Sequence, residues 1–187
     1  TVVGKTDSIR RAISSEFKNP GDIIYVLGTT KDEMGGSEFY RLFGGIGNSP
    51  PQVRPEEHVP LYRALSGAIE EGLVASVHDA SDGGLAVAFA ESALGFGLGA
   101  ELDLDCVPSD TQKEEAVLFS ESPGRFVVSV TPANAEKFEN RMQGTVCRRA
   151  GRVRGDRRFL MKRGESILIN DAIEDIRSAY MKGVEGA

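Results

Sequence analysis

The sequence has no tryptophan, only two histidines and two cysteines, and no apolar run approaching the roughly 20 residues that cross a bilayer. Each shortage excludes something. Cys106 and Cys147 lie far apart and make no CxxC pair, and the histidines add no ligand spacing, so no structural zinc site is expected. Two separate thiols fit a reducing compartment. No signal-peptide pattern opens the chain, so the expectation is a cytoplasmic protein with no membrane partner. Basic charge is also short. The 28 acids outnumber the 22 bases, for a net charge of -6, whereas a nucleic-acid binder carries a basic balance or a basic face. No nucleic-acid partner is expected. There is no Ser-His-Asp order, HExxH or nucleophile elbow. Gly44-Gly45-Ile46-Gly47 lacks both the GxGxxG and the Walker A spacing.

What remains is 187 residues at 40% hydrophobic content, enough to bury the core of one domain, with or without an appended segment. The chain begins at Thr1 rather than Met and reads as a piece of a longer one. Residues 1–20 are polar and end in the turn Asn19-Pro20-Gly21-Asp22. Ile23 to Leu27 reads as a buried strand closed by Gly28. A glycine turn at Met34-Gly35-Gly36 opens a short helix through Phe43, and the glycines and prolines of 44–56 make a loop. A helix is predicted over 57–71 with Leu61, Leu65, Ala68 and Ile69 on one face and Gly72 ending it. A strand follows at 74–77. After a turn, a helix runs to about Gly95 with Leu85, Ala88, Phe89, Ser92 and Phe96 inward. Further elements are a strand at 99–104, a short helix at 111–119, and a strand at 125–130. A helix then starts at Pro132, with Thr131 as its N-cap. Short strands come near 145–153, 158–162 and 166–169, and Asn170 or Asp171 caps a last helix to about Lys182. Strands alternating with helices predict a layered α/β/α sandwich of the α+β kind.

Three stretches can carry chemistry. The strand before Asp79 delivers it at the C-terminal end of that strand. Ser81 or Asp82 can cap the next helix, and Gly83 and Gly84 allow a tight turn. Free N–H groups at a helix start attract anions, and an acid in the same turn suits a magnesium-bridged phosphate. A plain capped turn explains the same residues. Gly35-Gly36-Ser37 is a second such turn, where Gly36 permits close approach of a ligand and Ser37 caps or donates. In Ser120-Glu121-Ser122-Pro123-Gly124-Arg125, Glu121 can hold a ribose hydroxyl or a metal-bound water, and Arg125 can meet a phosphate or simply pair with Glu121. His78 beside the first turn is a proton carrier or a structural histidine. The basic run from Arg148 to Arg163 is an interface for an acidic partner or a solvated face.

Gly21 to Gly28, Gly35-Gly36-Ser37-Glu38, His78 to Glu91 and Phe119 to Val128 occur in the order found in one family. Together they resemble the last domain of the phosphoribosylformylglycinamidine (FGAM) synthase large subunit, from about Lys18 to the end, with residues 1–17 similar to the tail of the preceding nucleotide-binding domain. The resemblance implies an aminoimidazole-ribonucleotide (AIR) synthetase-like C-terminal domain, partly ferredoxin-like, over 18–187. It implies a whole enzyme that uses ATP, Mg²⁺ and glutamine to convert formylglycinamide ribonucleotide to FGAM. It also implies partners: the remaining domains of the same subunit, a glutaminase subunit and a small accessory subunit. The family's first C-terminal domain carries Glu-Ser-Gln where this chain has Glu121-Ser122-Pro123, which marks the second copy, associated with an auxiliary nucleotide site and with packing. Gly35, Gly36, Ser37, Asp79, Ser81, Asp82, Gly83, Gly84, Glu121, Ser122 and Arg125 are therefore the expected substrate or nucleotide contacts, with Glu121 and Ser122 as equivalent positions only. No residue is assigned to catalysis, the metal ligands are left open, and the piece alone is expected to be inactive. Two alternatives stand beside this: a scaffold domain of the same subunit with no ligand of its own, and a relative such as selenophosphate synthetase, a hydrogenase-maturation protein or thiamine-phosphate kinase.

Overall fold

The computed structural model describes residues 8–185. Of the expected 1–17 tail, residues 1–7 lie outside the described residues. Seven strands form one sheet: β1 (Ile23–Leu27), β2 (Ser76–Asp79), β3 (Gly99–Asp103), β4 (Phe126–Val130), β5 (Cys147–Arg154), β6 (Arg158–Arg163) and β7 (Ser166–Ala172). Their spatial order is β2-β4-β1-β5-β3-β6-β7. All neighbours are antiparallel except β3 and β6. Among the described residues six α-helices accompany them: α1 (Glu38–Leu42), α2 (Pro55–Glu70), α3 (Gly84–Leu94), α4 (Glu114–Phe119), α5 (Ala135–Arg141) and α6 (Ile173–Glu185).

The period-two alternation of β1 decides the layering, because it sends successive side chains to opposite faces. Ile24 and Val26 enter one core with Leu85 and Phe89 of α3, Val117 of α4 and Ile173 of α6. Tyr25 and Leu27 enter a second core with Leu61 and Leu65 of α2 and Phe138 of α5. Each fully buried Leu or Phe contributes about 1.5–3 kcal/mol relative to exposure. The expected α/β/α sandwich is thus present where helices cover both faces. It is incomplete toward β3 and β6. There Ala100 and Leu102 point into the first core, while Glu101, on the opposite face, meets Arg152, Arg154 and Lys162. Among the described residues, no helix contributes to that charged face.

Several boundaries depart from the sequence reading. The second strand starts at Ser76, not Val74, because Ser76 to Asp79 pair with Phe126 to Ser129 while Val74 is buried against α2's core. Helix α2 starts at Pro55, whose missing N–H suits a first helical turn. Pro132 to Asn134 form a 3-10 turn before α5, and Thr131 makes no side-chain cap. Strand β7 continues through Asn170 and Asp171, so neither caps α6. Phe96 is 65% exposed because α3 ends at Leu94 and the helical phase is lost; Lys18 Nζ stands over its ring. Phe17 is fully buried, edge-on to Phe89 at 5.7 Å, so the chain before β1 already belongs to the first core.

The arginine run lies on β5, β6 and the turn between them, and is largely matched by acids. Arg149 pairs with Glu139, Arg154 with Asp156, Arg157 with Glu174, and Arg163 with Asp105 and Glu114. This corresponds to the solvated-face reading of that stretch.

Candidate functional site

Strand β2 ends at Asp79, and the chain turns through Ala80 to Gly83 into α3. Neither Ser81 nor Asp82 caps the helix, contrary to the sequence expectation. Gly83 occupies the N-cap position in the left-handed region at φ 76°, with no side-chain cap of its own. The acceptor comes instead from a distant loop: Glu121 Oε1 takes the Gly83 N–H at 3.0 Å. The same oxygen takes the Glu38 N–H at 2.8 Å, at the start of α1. One carboxylate therefore joins the two glycine turns that the sequence singled out. Gly84 is locked from below, since a Cβ there would stand 2.5 Å from Ser120 O.

The second turn behaves as expected at one residue. Ser37 is the N-cap of α1, and its Oγ accepts the Tyr40 N–H at 3.3 Å while donating to Met34 O at 2.7 Å. Gly35 is buried and Gly36 exposed.

The 120–125 loop supplies the floor. Arg125 is 1% exposed. Its Nε donates to Ser122 O at 2.9 Å, its Nη1 to Thr30 Oγ1 at 3.0 Å, and its Nη2 to Ser120 O. Burial pushes its pKa down to about 10 despite the carboxylates of Glu33 and Glu121. No ion pair joins Arg125 to Glu121 among the described residues. The guanidinium ties the loop to the segment after β1. Ser122 does the same through its hydroxyl, which accepts the Lys31 N–H at 3.2 Å and lies 2.9 Å from Ser120 Oγ.

Above this floor a cleft of about 550 Å³ is lined by Asp79, Ser81, Asp82, Glu121 and Arg125, with Pro51 and Tyr62 as its walls. Five of the predicted residues thus share one cavity. Gly83, Gly84, Gly35, Gly36, Ser37 and Ser122 do not line it; Glu121 binds Gly83 and, next to Ser37, Glu38. Asp79 and Asp82 are exposed, and their carboxylates take part in no hydrogen bond among the described residues; Asp79 Oδ1 is 3.6 Å from His78 Nδ1. His78 points the other way. Its Nε2 is 2.8 Å from Glu91 Oε2, and Tyr180 of α6 donates to Glu91 Oε1 at 3.0 Å.

Two features escaped the sequence reading. Glu33 is buried and pairs with Arg54 at 2.5 Å, while its Oε2 has no hydrogen-bond partner among the described residues. Burial alone would raise the Glu33 carboxyl, but Arg54 holds it below its ordinary value. The second is the course of residues 43–54, which run across the Gly35–Gly36 turn. Only their glycines and prolines hinted at an irregular path.

The sheet and its helical layers are those of a known domain class. The model of the family described as AIR synthase related protein, C-terminal domain, matches residues 19–162, and the chain belongs to that family. Among solved structures, PurL from Thermotoga maritima complexed with FGAR superposes with a TM-score of 0.77 at 22% identity, over 90% of this chain and 30% of that one. The same protein complexed with ATP gives 0.75 at 21% identity, over 90% and 27%. The hydrogenase maturation protein HypE from Escherichia coli gives 0.62 at 19% identity, over 86% and 52%. These likenesses establish the fold. The chain spans less than a third of the PurL chains it matches.

Proposed function

We propose that this chain is the C-terminal domain of an FGAM synthase, the ATP- and glutamine-dependent ligase that converts formylglycinamide ribonucleotide to FGAM in purine biosynthesis. The observation that carries the reading is the single Glu121 carboxylate joining the two glycine turns over one acid-lined cleft. Support comes from the family match and from the superposition on T. maritima PurL complexed with ATP, with ADP and with FGAR. In this reading residues 18–187 form the domain and 1–17 are the tail of a preceding nucleotide-binding domain, whose end is seated in this domain's core through Phe17. The whole enzyme acts in the cytoplasm with its other domains, a glutaminase and a small accessory subunit. A structure titled PurLQS from T. maritima is among the fold's matches.

The residues present fit a magnesium-bridged phosphate. Mg²⁺ is held by one or two carboxylates plus phosphate oxygens, and Asp79 and Asp82 present two exposed carboxylates at one rim of the cleft. The ion supplies charge neutralisation on the phosphate. The protein's share is to hold Asp79 and Asp82 on one turn and to keep that turn fixed against the 120–125 loop.

A scaffold domain with no ligand of its own is the second reading, favoured by the internal use of Arg125 and of the Gly83 and Glu38 N–H groups. Asp82→Asn separates the two. Asp82 is exposed and caps nothing, so the substitution leaves the melting temperature unchanged. Calorimetric titration with Mg·ADP is expected to show binding weakened at least about tenfold, the scale of one lost charge-assisted contact. Unchanged binding, or none in the parent chain, sinks the ligand-binding reading.

A further inference from the structure

The N–H groups of Gly35 and Gly36 are the donors that the second glycine turn offers to an anion, and both are already taken. Gly35 donates to Ser49 O at 2.7 Å and Gly36 to Ile46 O at 2.6 Å. Both acceptors belong to residues 43–54, a stretch without helix or strand that lies across the turn like a strap. The strap also reaches the first turn, because its Pro51 lines the cleft with Asp79, Asp82 and Glu121.

The strap's attachments are few. Ser49 Oγ donates to Asp32 O at 3.0 Å, and Arg54 pairs with Glu33. Apolar anchoring is slight: Phe43, Ile46 and Val53 are 74%, 79% and 74% exposed, and the Phe43 ring meets only that of Phe39, at 5.2 Å, among the described residues. A segment that buries so little apolar surface opens at small cost. Gly44 and Gly47, at φ 69° and 73°, place two residues of wide backbone freedom on either side of Ile46.

We infer that residues 43–54 are an autoinhibitory strap over the candidate phosphate site. Ile46 O and Ser49 O stand where oxygens of a phosphate-bearing ligand would accept the same two N–H groups. Binding exchanges one set of acceptors for the other, and the strap swings outward about Gly44 and Gly47. The inference rests on the ligand-binding reading above and adds a regulated step to it: whatever draws the strap away raises the site's affinity.

The test compares the parent chain with Gly47→Ala and Ser49→Ala, using Mg·ADP as the probe. A Cβ on Gly47 would stand 2.6 Å from the Tyr40 ring and 3.2 Å from Gly35 Cα, so this substitution pushes the strap off the turn. Ser49→Ala removes only the bond to Asp32 O and serves if Gly47→Ala misfolds. Titration calorimetry is expected to give about tenfold tighter binding to Gly47→Ala, the scale of one to two hydrogen bonds of ordinary net strength. Ser49→Ala shifts the same way by less. Chymotrypsin cleavage after Phe43, mapped by mass spectrometry, is expected to speed up in Gly47→Ala and in the parent chain saturated with Mg·ADP. Equal affinities across the three proteins, or slower cleavage on saturation, overturn the strap and leave the binding reading standing. No binding by any of them overturns both.

Discussion

Glu121 accepts the N–H of Gly83 across 38 residues of sequence, at 3.0 Å, and so does the work that a side chain next to Gly83 performs in an ordinary capped helix. The arrangement predicts a graded response. Glu121→Ala removes the acceptor for Gly83 and Glu38 together, and urea unfolding is expected to show a loss of about 1.5–3 kcal/mol, as for hydrogen bonds to a charged group. Glu121→Gln keeps an oxygen in place and loses less than half of that. Equal losses for the two would show that charge, not acceptor geometry, holds the turns.

Arg125 is the second mutational target. Its fork reaches three oxygens at once, two of them backbone carbonyls on the loop it belongs to. Lysine offers one compact head and cannot serve all three. Arg125→Lys is expected to lower stability by about 2–4 kcal/mol in urea. A loss below about 0.5 kcal/mol, the level of an ordinary surface substitution, would rule out that structural role.

The two thiols are expected to part company in alkylation. Cys106 is exposed, whereas burial, followed by the nearby Glu139 carboxylate, pushes the Cys147 thiol up to about 12. Iodoacetamide at mild alkaline pH should label Cys106 in the native protein and Cys147 only in urea, read by peptide mass spectrometry. The sign of the linked effect follows. The unfolded chain loses the Cys147 proton near 9.0 while the native state keeps it. The stability tied to this thiol is therefore full below that pH and drains away as pH rises toward 12. Equal native labelling of both cysteines would contradict this.

Glu101 gives an acid-side prediction. Burial works to raise its carboxyl, yet Lys162, Arg152 and Arg154 together hold it below the ordinary 4.5. A lowered acid contributes stability that is present above 4.5 and lost as pH falls below it. Glu101→Gln is expected to destabilise by about 1–3 kcal/mol at neutral pH, the cost of stranding its partners. The gap to the parent protein should close in acid. A gap that persists at pH 3 would mean the loss is steric.

These targets also show where the sequence was informative. Ile23 to Leu27 and Phe126 to Val130 are apolar on both sides because helices cover both faces of the sheet there, and such runs read as buried strands without further help. The 76–79 strand was misplaced by two residues because Ser76, His78 and Asp79 are polar. Its strand character comes from pairing with β4, which no local pattern encodes. The two glycine turns and the 120–125 loop were recognisable as motifs in order. Their meeting point was not, since Glu38 and Glu121 are 83 residues apart. Arg125 illustrates the same limit: a polar head near a turn reads as a ligand contact, and only burial shows that the protein itself supplies the acceptors. The strap was invisible for a related reason, as glycines and prolines announce irregularity without saying what the irregular chain lies upon.

The half-covered sheet has a kinetic corollary. Strands β1 and β4 are sealed under helices on both faces, whereas β3 and β6 are sealed on one and meet water through salt bridges on the other. Amide protons of the first pair should exchange only when the whole molecule opens, and those of β6 and β7 through smaller openings at lower free energy. Hydrogen exchange would then resolve two tiers of protection, with the border running along β5.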